Sequence, residues 1–142
     1  MKNPKDYLLL TNNPLVRDIL SPFYEVAFLE ASLRDILIKT RDMTHVGHRL
    51  YTHPLSGSVK PNETPYKSIL LSKKPGPFDA DSALMAEDAI AACDKFTPRG
   101  IVFTDKLHSD FQVVDYGLIC GALDFDAASG LSSYQNSFKK EE

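Results

Sequence analysis

The residue types that could carry chemistry are concentrated in residues 45–74, HVGHRLYTHPLSGSVKPNETPYKSILLSKK. Three of the four histidines of the chain lie there, and five cationic side chains accompany a single carboxylate, Glu63, in a protein of net charge −3. Hydroxyl groups and a glycine are interspersed among these charges. Such a composition suits the binding of a small anion, a carboxylate or a phosphate. We therefore expect a binding site in this segment.

The run from Ser56 to Lys60, SGSVK, is the part of the segment best suited to an anion. Gly57 lets backbone N–H groups approach a ligand, the two flanking serines can donate hydrogen bonds, and the lysine supplies charge. The run lacks the G-x-x-x-x-G-K-[ST] frame of a P-loop. An exposed turn whose polar groups face water is an equally weighted alternative.

The three histidines of the segment, His45, His48 and His53, have the spacing H-x2-H-x4-H. Three converging imidazoles could bind zinc, but this spacing matches none of the strong zinc signatures. The alternative is that the histidines hydrogen-bond the loop or lie at a helix end. We expect no metal and no cofactor, and keep the three histidines as weak candidate ligands.

An acid–base pair is conceivable in the same segment, with Glu63 beside His53 or Tyr66. Turns at Pro61 and Pro65 explain most of the neighbouring residues without a reaction. His53 and Glu63 are therefore weak catalytic candidates, and whether the protein is an enzyme stays open.

A second polar position is the Thr11-Asn12-Asn13 turn, which lies between an apolar run and Pro14. Asn13 is a good helix N-cap and Pro14 suits the first helical position. Asn12 has no such structural role. The predicted ligand-binding residues are Asn12, Asn13, His53, Ser56, Gly57, Ser58, Lys60, Asn62, Thr64, Tyr66 and Lys67.

Apolar runs and helical periodicity predict the elements that position these residues. Strands are predicted at Tyr7–Thr11, Glu25–Leu29 and Lys67–Ser72, weakly at Leu50–Thr52, and ambiguously at Ile101–Thr104. Helices are predicted at Pro14–Leu20, from the N-cap Ser32 to Gly47, and at Asp79–Thr97. Phe111–Asp115 is predicted as a strand followed by a helix at Tyr116–Leu123, with one uninterrupted helix from Lys106 to Leu123 as the alternative.

This alternation predicts an α/β fold, a single three-layer domain over residues 1–128 with a mostly parallel, Rossmann-like sheet of four to five strands. A polar C-terminal tail, expected to be frayed, follows over residues 129–142. Ligands of such sheets bind beyond the carboxyl ends of the strands. The turn at Asn12 and the loop from Pro54 to Pro65 should therefore meet at one edge of the sheet.

The bulk properties exclude several classes of protein. A sequence pI near 5.8 argues against a nucleic-acid binder. No segment approaches the roughly 18 to 20 apolar residues of a membrane span. Cys93 and Cys120 lie in apolar surroundings and are expected to be buried core residues. We expect a cytoplasmic protein.

Two stretches, LLLTNNPLV and RDMTHVGHRLYTHPLSGSVKPNETPYKSILLS, resemble the GrdX family, and FQVVDYGLICGAL resembles it more loosely. Members of this family are small proteins encoded with the glycine, sarcosine and betaine reductase systems of amino-acid-fermenting anaerobes. The resemblance implies a pathway and supplies no catalytic residues.

We therefore expect an accessory or regulatory protein of the reductase system, binding a small anionic ligand. One alternative is a metal-assisted or acid–base enzyme acting on a small pathway metabolite. The other is an interaction module that contacts a glycine reductase subunit.

Overall fold

A computed structural model describes residues 1–55, 64–95 and 104–139 of the chain. The described residues form three strands and five helices. They are β1 (Tyr7–Thr11), α1 (Pro14–Leu20), β2 (Glu25–Phe28), α2 (Leu33–Val46), β3 (Ser68–Ser72), α3 (Ala80–Lys95), α4 (Asp105–Leu123) and α5 (Ala127–Lys139).

The sheet is mixed, with the strand order β2-β1-β3. β1 is parallel to β2 and antiparallel to β3, and Leu9 lies opposite both Val26 and Leu70. The prediction of a mostly parallel, Rossmann-like sheet of four to five strands is therefore wrong. Leu50–Thr52 forms only an isolated antiparallel bridge, between Leu50 and Leu71.

The direction of β3 follows from the path of the chain after α2. A parallel neighbour needs a crossover, usually a helix, between the two strands. Here the chain leaves α2, runs antiparallel to β3 at Leu50, and turns back to enter β3 from the edge where β1 ends. Thr11 consequently lies opposite Ser68 at that edge.

α4 is one uninterrupted helix, so the predicted strand at Phe111–Asp115 is wrong and the alternative is confirmed. The paired valines at 113 and 114 are exposed, while Asp115, Ile119 and Leu123 are buried at helical spacing. Residues 101–103, the greater part of the ambiguous strand prediction, lie outside the described residues.

α5 is a helix over most of the segment predicted to be a polar tail. Its Leu131 and Tyr134 are partly buried and pack against the core. With Ala127, they form an apolar face at helical spacing through which this otherwise polar segment contacts the core. The boundary between a domain at 1–128 and a tail stays a prediction.

Local signals at the helix ends are confirmed. The Asn13 side chain accepts a hydrogen bond from the Leu15 N–H at 3.0 Å, and the Ser32 Oγ accepts one from the Asp35 N–H at 3.1 Å. α2 ends at Gly47, whose φ of 117° lies in the left-handed region that favours glycine.

Helices cover both faces of the sheet, because alternate strand residues point to opposite sides. Leu9 and Leu70 pack with α1, α4 and α5, whereas Leu10 and Ile69 pack with α2 and α3. Cys93 and Cys120 are both buried, as predicted. In the described ranges, no helix has the length and apolar character needed to cross a membrane.

Candidate functional site

A cleft of about 620 Å³ opens where β1 and β2 end side by side. α1 leaves β1 toward one face of the sheet and α2 leaves β2 toward the other. Diverging connections of this kind leave a crevice at the carboxyl ends of parallel strands, where ligands of open α/β sheets bind. The walls come from the turn before α1, the turn before α2, residues 64–66 and the start of α4.

Asn12 has a structural role that the sequence did not indicate, because its side chain joins three segments of the cleft. Its Nδ2 donates to the carbonyl oxygens of Ala31 at 2.9 Å and Pro65 at 2.7 Å, and its Oδ1 accepts from the backbone N–H of Lys67 at 2.8 Å. The residue is only 6% exposed. The turn at Asn12 and the end of the Pro54–Pro65 loop therefore meet at one sheet edge, as the sequence predicts.

Tyr66 and His108 form a hydrogen-bonded pair in the cleft wall. The Tyr66 hydroxyl lies 2.9 Å from Nδ1 of His108 and accepts a hydrogen bond from Nε2 of Gln112 at 3.0 Å. With one acceptor position used by Gln112, the hydroxyl can either donate its proton to the imidazole or accept from it and donate elsewhere. This pair can thus present a donor to a bound ligand.

Two charged side chains of opposite sign, Arg17 and Glu30, also line the cleft. The Nε of Arg17 lies 2.9 Å from Oδ1 of Asp18, and its guanidinium carbon lies 4.4 Å from the centre of the Phe28 ring. The hydrogen bond to Asp18 raises the pKa of Arg17, which stays cationic. Glu30 is exposed on the turn between β2 and α2.

Behind the cleft, Asp115 accepts three hydrogen bonds at the junction of β1, β3 and α4. The donors are the Ser68 N–H at 3.0 Å, the Ser68 hydroxyl at 2.7 Å and the Asn13 amide at 3.0 Å. Burial raises the pKa of Asp115, while these hydrogen bonds and the charge of Lys67 oppose that shift. The network fastens α4 to the sheet.

Asn13 and Lys67 belong to this buried region. Asn13 caps α1 and also donates to the Gln112 carbonyl oxygen at 3.0 Å. Burial lowers the pKa of Lys67, and the charge of Asp115 opposes the shift. Together with His53, Lys67 and Asp115 line a second, smaller pocket of about 80 Å³.

The predicted ligand-binding residues are therefore divided between two places. Asn12, Thr64 and Tyr66 line the large cleft, and His53 and Lys67 line the small pocket. Ser56, Gly57, Ser58, Lys60 and Asn62, like the weak catalytic candidate Glu63, lie outside the described residues.

The structure gives the three histidines of the segment separate partners. Nε2 of His45 lies 3.6 Å from Glu87, Nδ1 of His48 lies 2.8 Å from the Ser72 carbonyl oxygen, and Nδ1 of His53 accepts from the Leu55 N–H at 3.1 Å. Within the part of the chain that the structure describes, no group of three or more His, Cys, Asp or Glu side chains could hold a metal ion.

Sequence reasoning missed Arg17, Glu30, Ser32 and His108. Residues 30–32 lie just after the end of β2 at Phe28, so the rule that selected Asn12 after β1 could have selected them too. Arg17 lies one turn into α1, on the helix that the Asn12 turn begins. His108 is 42 positions from Tyr66, and no local signal predicts their contact.

In a comparison with protein families, the family described as GrdX-like protein matches residues 8–124. Comparison with curated proteins and comparison with solved structures found no match.

Proposed function

Since this chain belongs to the GrdX-like protein family, we propose that it is an accessory or regulatory protein of the glycine, sarcosine and betaine reductase system. Membership in the family is consistent with an association with glycine reductase systems. In this proposal the protein binds a small carboxylate or phosphate compound, and glycine reductase subunits are possible partners. A cytoplasmic location stays a prediction.

One observation carries the ligand part of the proposal, the cleft at the diverging ends of β1 and β2. Its volume lies within the range of about 300 to 1,000 Å³ that is usual for small-molecule pockets. Asn12, Thr64 and Tyr66, chosen from the sequence as ligand-binding residues, line this cleft.

The surroundings of the cleft favour an anionic group on the ligand. Arg17 supplies a permanent positive charge on a side chain held by Asp18 and Phe28. Ser32 and Leu33 bring the N-terminal end of α2, which spans Leu33–Val46, to the same cleft. The partial positive charge of a helix N-terminus adds to that of the guanidinium.

Isothermal titration calorimetry with a panel of small carboxylates and phosphates tests the proposal. We expect saturable binding of at least one compound, and Arg17→Gln should weaken it about tenfold or more, because a hydrogen bond to a charged group contributes about 1.5 to 3 kcal/mol. Arg41→Gln is the matched control, since Arg41 pairs with Asp42 and Glu87 away from the cleft.

The ligand part is wrong if no compound of the panel binds saturably. It is also wrong if both arginine variants weaken binding equally, because a general loss of positive charge would then explain the effect.

A second candidate function, acid–base catalysis in the same cleft, is favoured by the Tyr66–His108 pair. A phenol that is hydrogen-bonded to an imidazole can transfer a proton to or from a bound compound. NMR spectra of a binding compound, followed over time with the wild type and with Tyr66→Phe, test this. Conversion of the compound by the wild type but not by Tyr66→Phe supports catalysis. If neither protein converts the compound, the catalytic function is wrong. Tyr51→Phe, at a tyrosine outside the cleft, is the control.

A further inference from the structure

The residues that line the cleft include one cationic side chain, Arg17, and one carboxylate, Glu30. Together they restrict the class of ligand that the cleft can bind. We propose that it binds an amino-acid-like zwitterion, with the ligand carboxylate on the side of Arg17 and its ammonium group on the side of Glu30. The inference rests on the proposed ligand site and goes further by giving the ligand a positive charge as well.

Arg17 is prepared to receive a carboxylate. A guanidinium has five N–H donors, and the described hydrogen bond to Asp18 uses the one on Nε. The side chain also lies over the Phe28 ring, so that its position is restricted before a ligand arrives. Planar guanidinium groups bind carboxylates through two parallel hydrogen bonds.

Glu30 offers the opposite charge within the same cleft. Glu30 is exposed and lines the same cleft as Arg17. Arg17 forms its ion pair with Asp18 and not with Glu30. A separated pair of charges matches a ligand whose own opposite charges are separated.

The balance of charges decides among the ligand classes. Arg17 and Glu30 carry opposite charges, and both side chains line the cleft. A simple carboxylate would be attracted by Arg17 and repelled by Glu30, and a simple amine would meet the reverse. Only a zwitterion gains from both side chains. A volume of about 620 Å³ leaves room for a ligand side chain beside Phe28 and Tyr66.

Calorimetry with the twenty protein amino acids as probes tests the inference. Each amino acid that binds is compared with the carboxylate that lacks its amine and with the amine that lacks its carboxylate, for example alanine with propionate and ethylamine. We expect the amino acid to bind about tenfold more tightly than either analogue. Glu30→Gln should abolish the preference over the carboxylate, whereas Arg17→Gln should weaken the binding of both. Glu25→Gln, which removes an exposed carboxylate of β2 outside the cleft, should preserve the preference.

The outcomes separate this inference from the proposed function. Binding of carboxylates or phosphates without binding of any amino acid overturns the zwitterion and leaves the ligand site standing. Equal binding of an amino acid and its carboxylate, or a preference that survives Glu30→Gln, also overturns it. Failure of every carboxylate, phosphate and amino acid to bind overturns both proposals.

Discussion

At the scale of single residues, Asp115 is a buried carboxylate that is stabilised by hydrogen bonds. It is 6% exposed, and its two carboxylate oxygens accept hydrogen bonds from Ser68 and Asn13. Asp115→Asn would turn one of these acceptors into an NH₂ group that meets donors. We expect the free energy of unfolding to fall by about 1 to 3 kcal/mol, measured by urea unfolding followed by circular dichroism.

The control for this substitution is Asp110→Asn, on the exposed side of the same helix. An exposed change of this kind should alter the free energy of unfolding by no more than about 0.5 kcal/mol. Equal losses in the two variants would show that the buried hydrogen bonds of Asp115 contribute no net stability.

The titration of Asp115 gives a prediction with a definite sign. Burial raises its pKa in the folded protein above the ordinary value of 3.8, so the folded state binds the proton more readily than the unfolded state. The stability that Asp115 contributes through this pKa difference is fully present below its pKa in the unfolded chain. It is lost as the pH rises through its pKa in the folded protein. The difference in unfolding free energy between the wild type and Asp115→Asn should therefore be larger near pH 4 than near pH 7.

Urea unfolding of both proteins across this pH range measures the difference. A difference that grows with pH would mean that the hydrogen bonds from Ser68 and Asn13 outweigh burial, and that the pKa of Asp115 is lowered.

At the scale of single elements, two glycines are expected to change the free energy of unfolding in opposite directions when replaced by alanine. Gly47 ends α2 at a φ of 117°, and a Cβ there would clash with the Gly76 carbonyl oxygen. Gly47→Ala should therefore lower the free energy of unfolding by about 1 to 3 kcal/mol. Gly117 lies in the middle of α4 and is exposed to solvent, and a Cβ there would meet no atom within 4 Å. Gly117→Ala should raise the free energy of unfolding by about 0.5 to 1 kcal/mol.

Thermal and urea unfolding of the two variants measure both changes. A Gly47→Ala variant as stable as the wild type would contradict the left-handed end of α2 and its close approach to Gly76.

At the scale of the whole molecule, the described residues form two apolar clusters, one on each face of the three-stranded sheet. Leu9 and Leu10 are neighbours in β1 yet belong to different clusters. Because the same strands complete both clusters, we expect the protein to unfold in one cooperative transition. Leu20→Ala in one cluster and Leu37→Ala in the other should each lower the free energy of unfolding by about 2 to 5 kcal/mol.

NMR amide signals followed through a urea titration can report on both faces separately. Signals of α1 and α2 should disappear at the same urea concentration in each variant, whereas Leu84→Ala, at an exposed position of α3, should leave the midpoint nearly unchanged. Different midpoints for the two faces would contradict a single cooperative unit.

The sequence by itself determined features whose causes lie within a few residues. Asn13 before Pro14 specifies the start of α1, and Gly47 specifies the end of α2, since capping and backbone freedom are local properties. The same local reasoning selected Asn12, which lines the cleft and joins its walls.

Only the tertiary structure decided how these elements are combined. The number of strands and the direction of β3 depend on the return of the chain after α2, and the short apolar run at Phe111–Asp115 fits a strand or a helix equally until it packs. The cleft brings Arg17, Glu30, Tyr66 and His108 together from four separate stretches of sequence. Periodicity and capping carry no information about such contacts, because these are set by packing on a shared core rather than by neighbours in the chain.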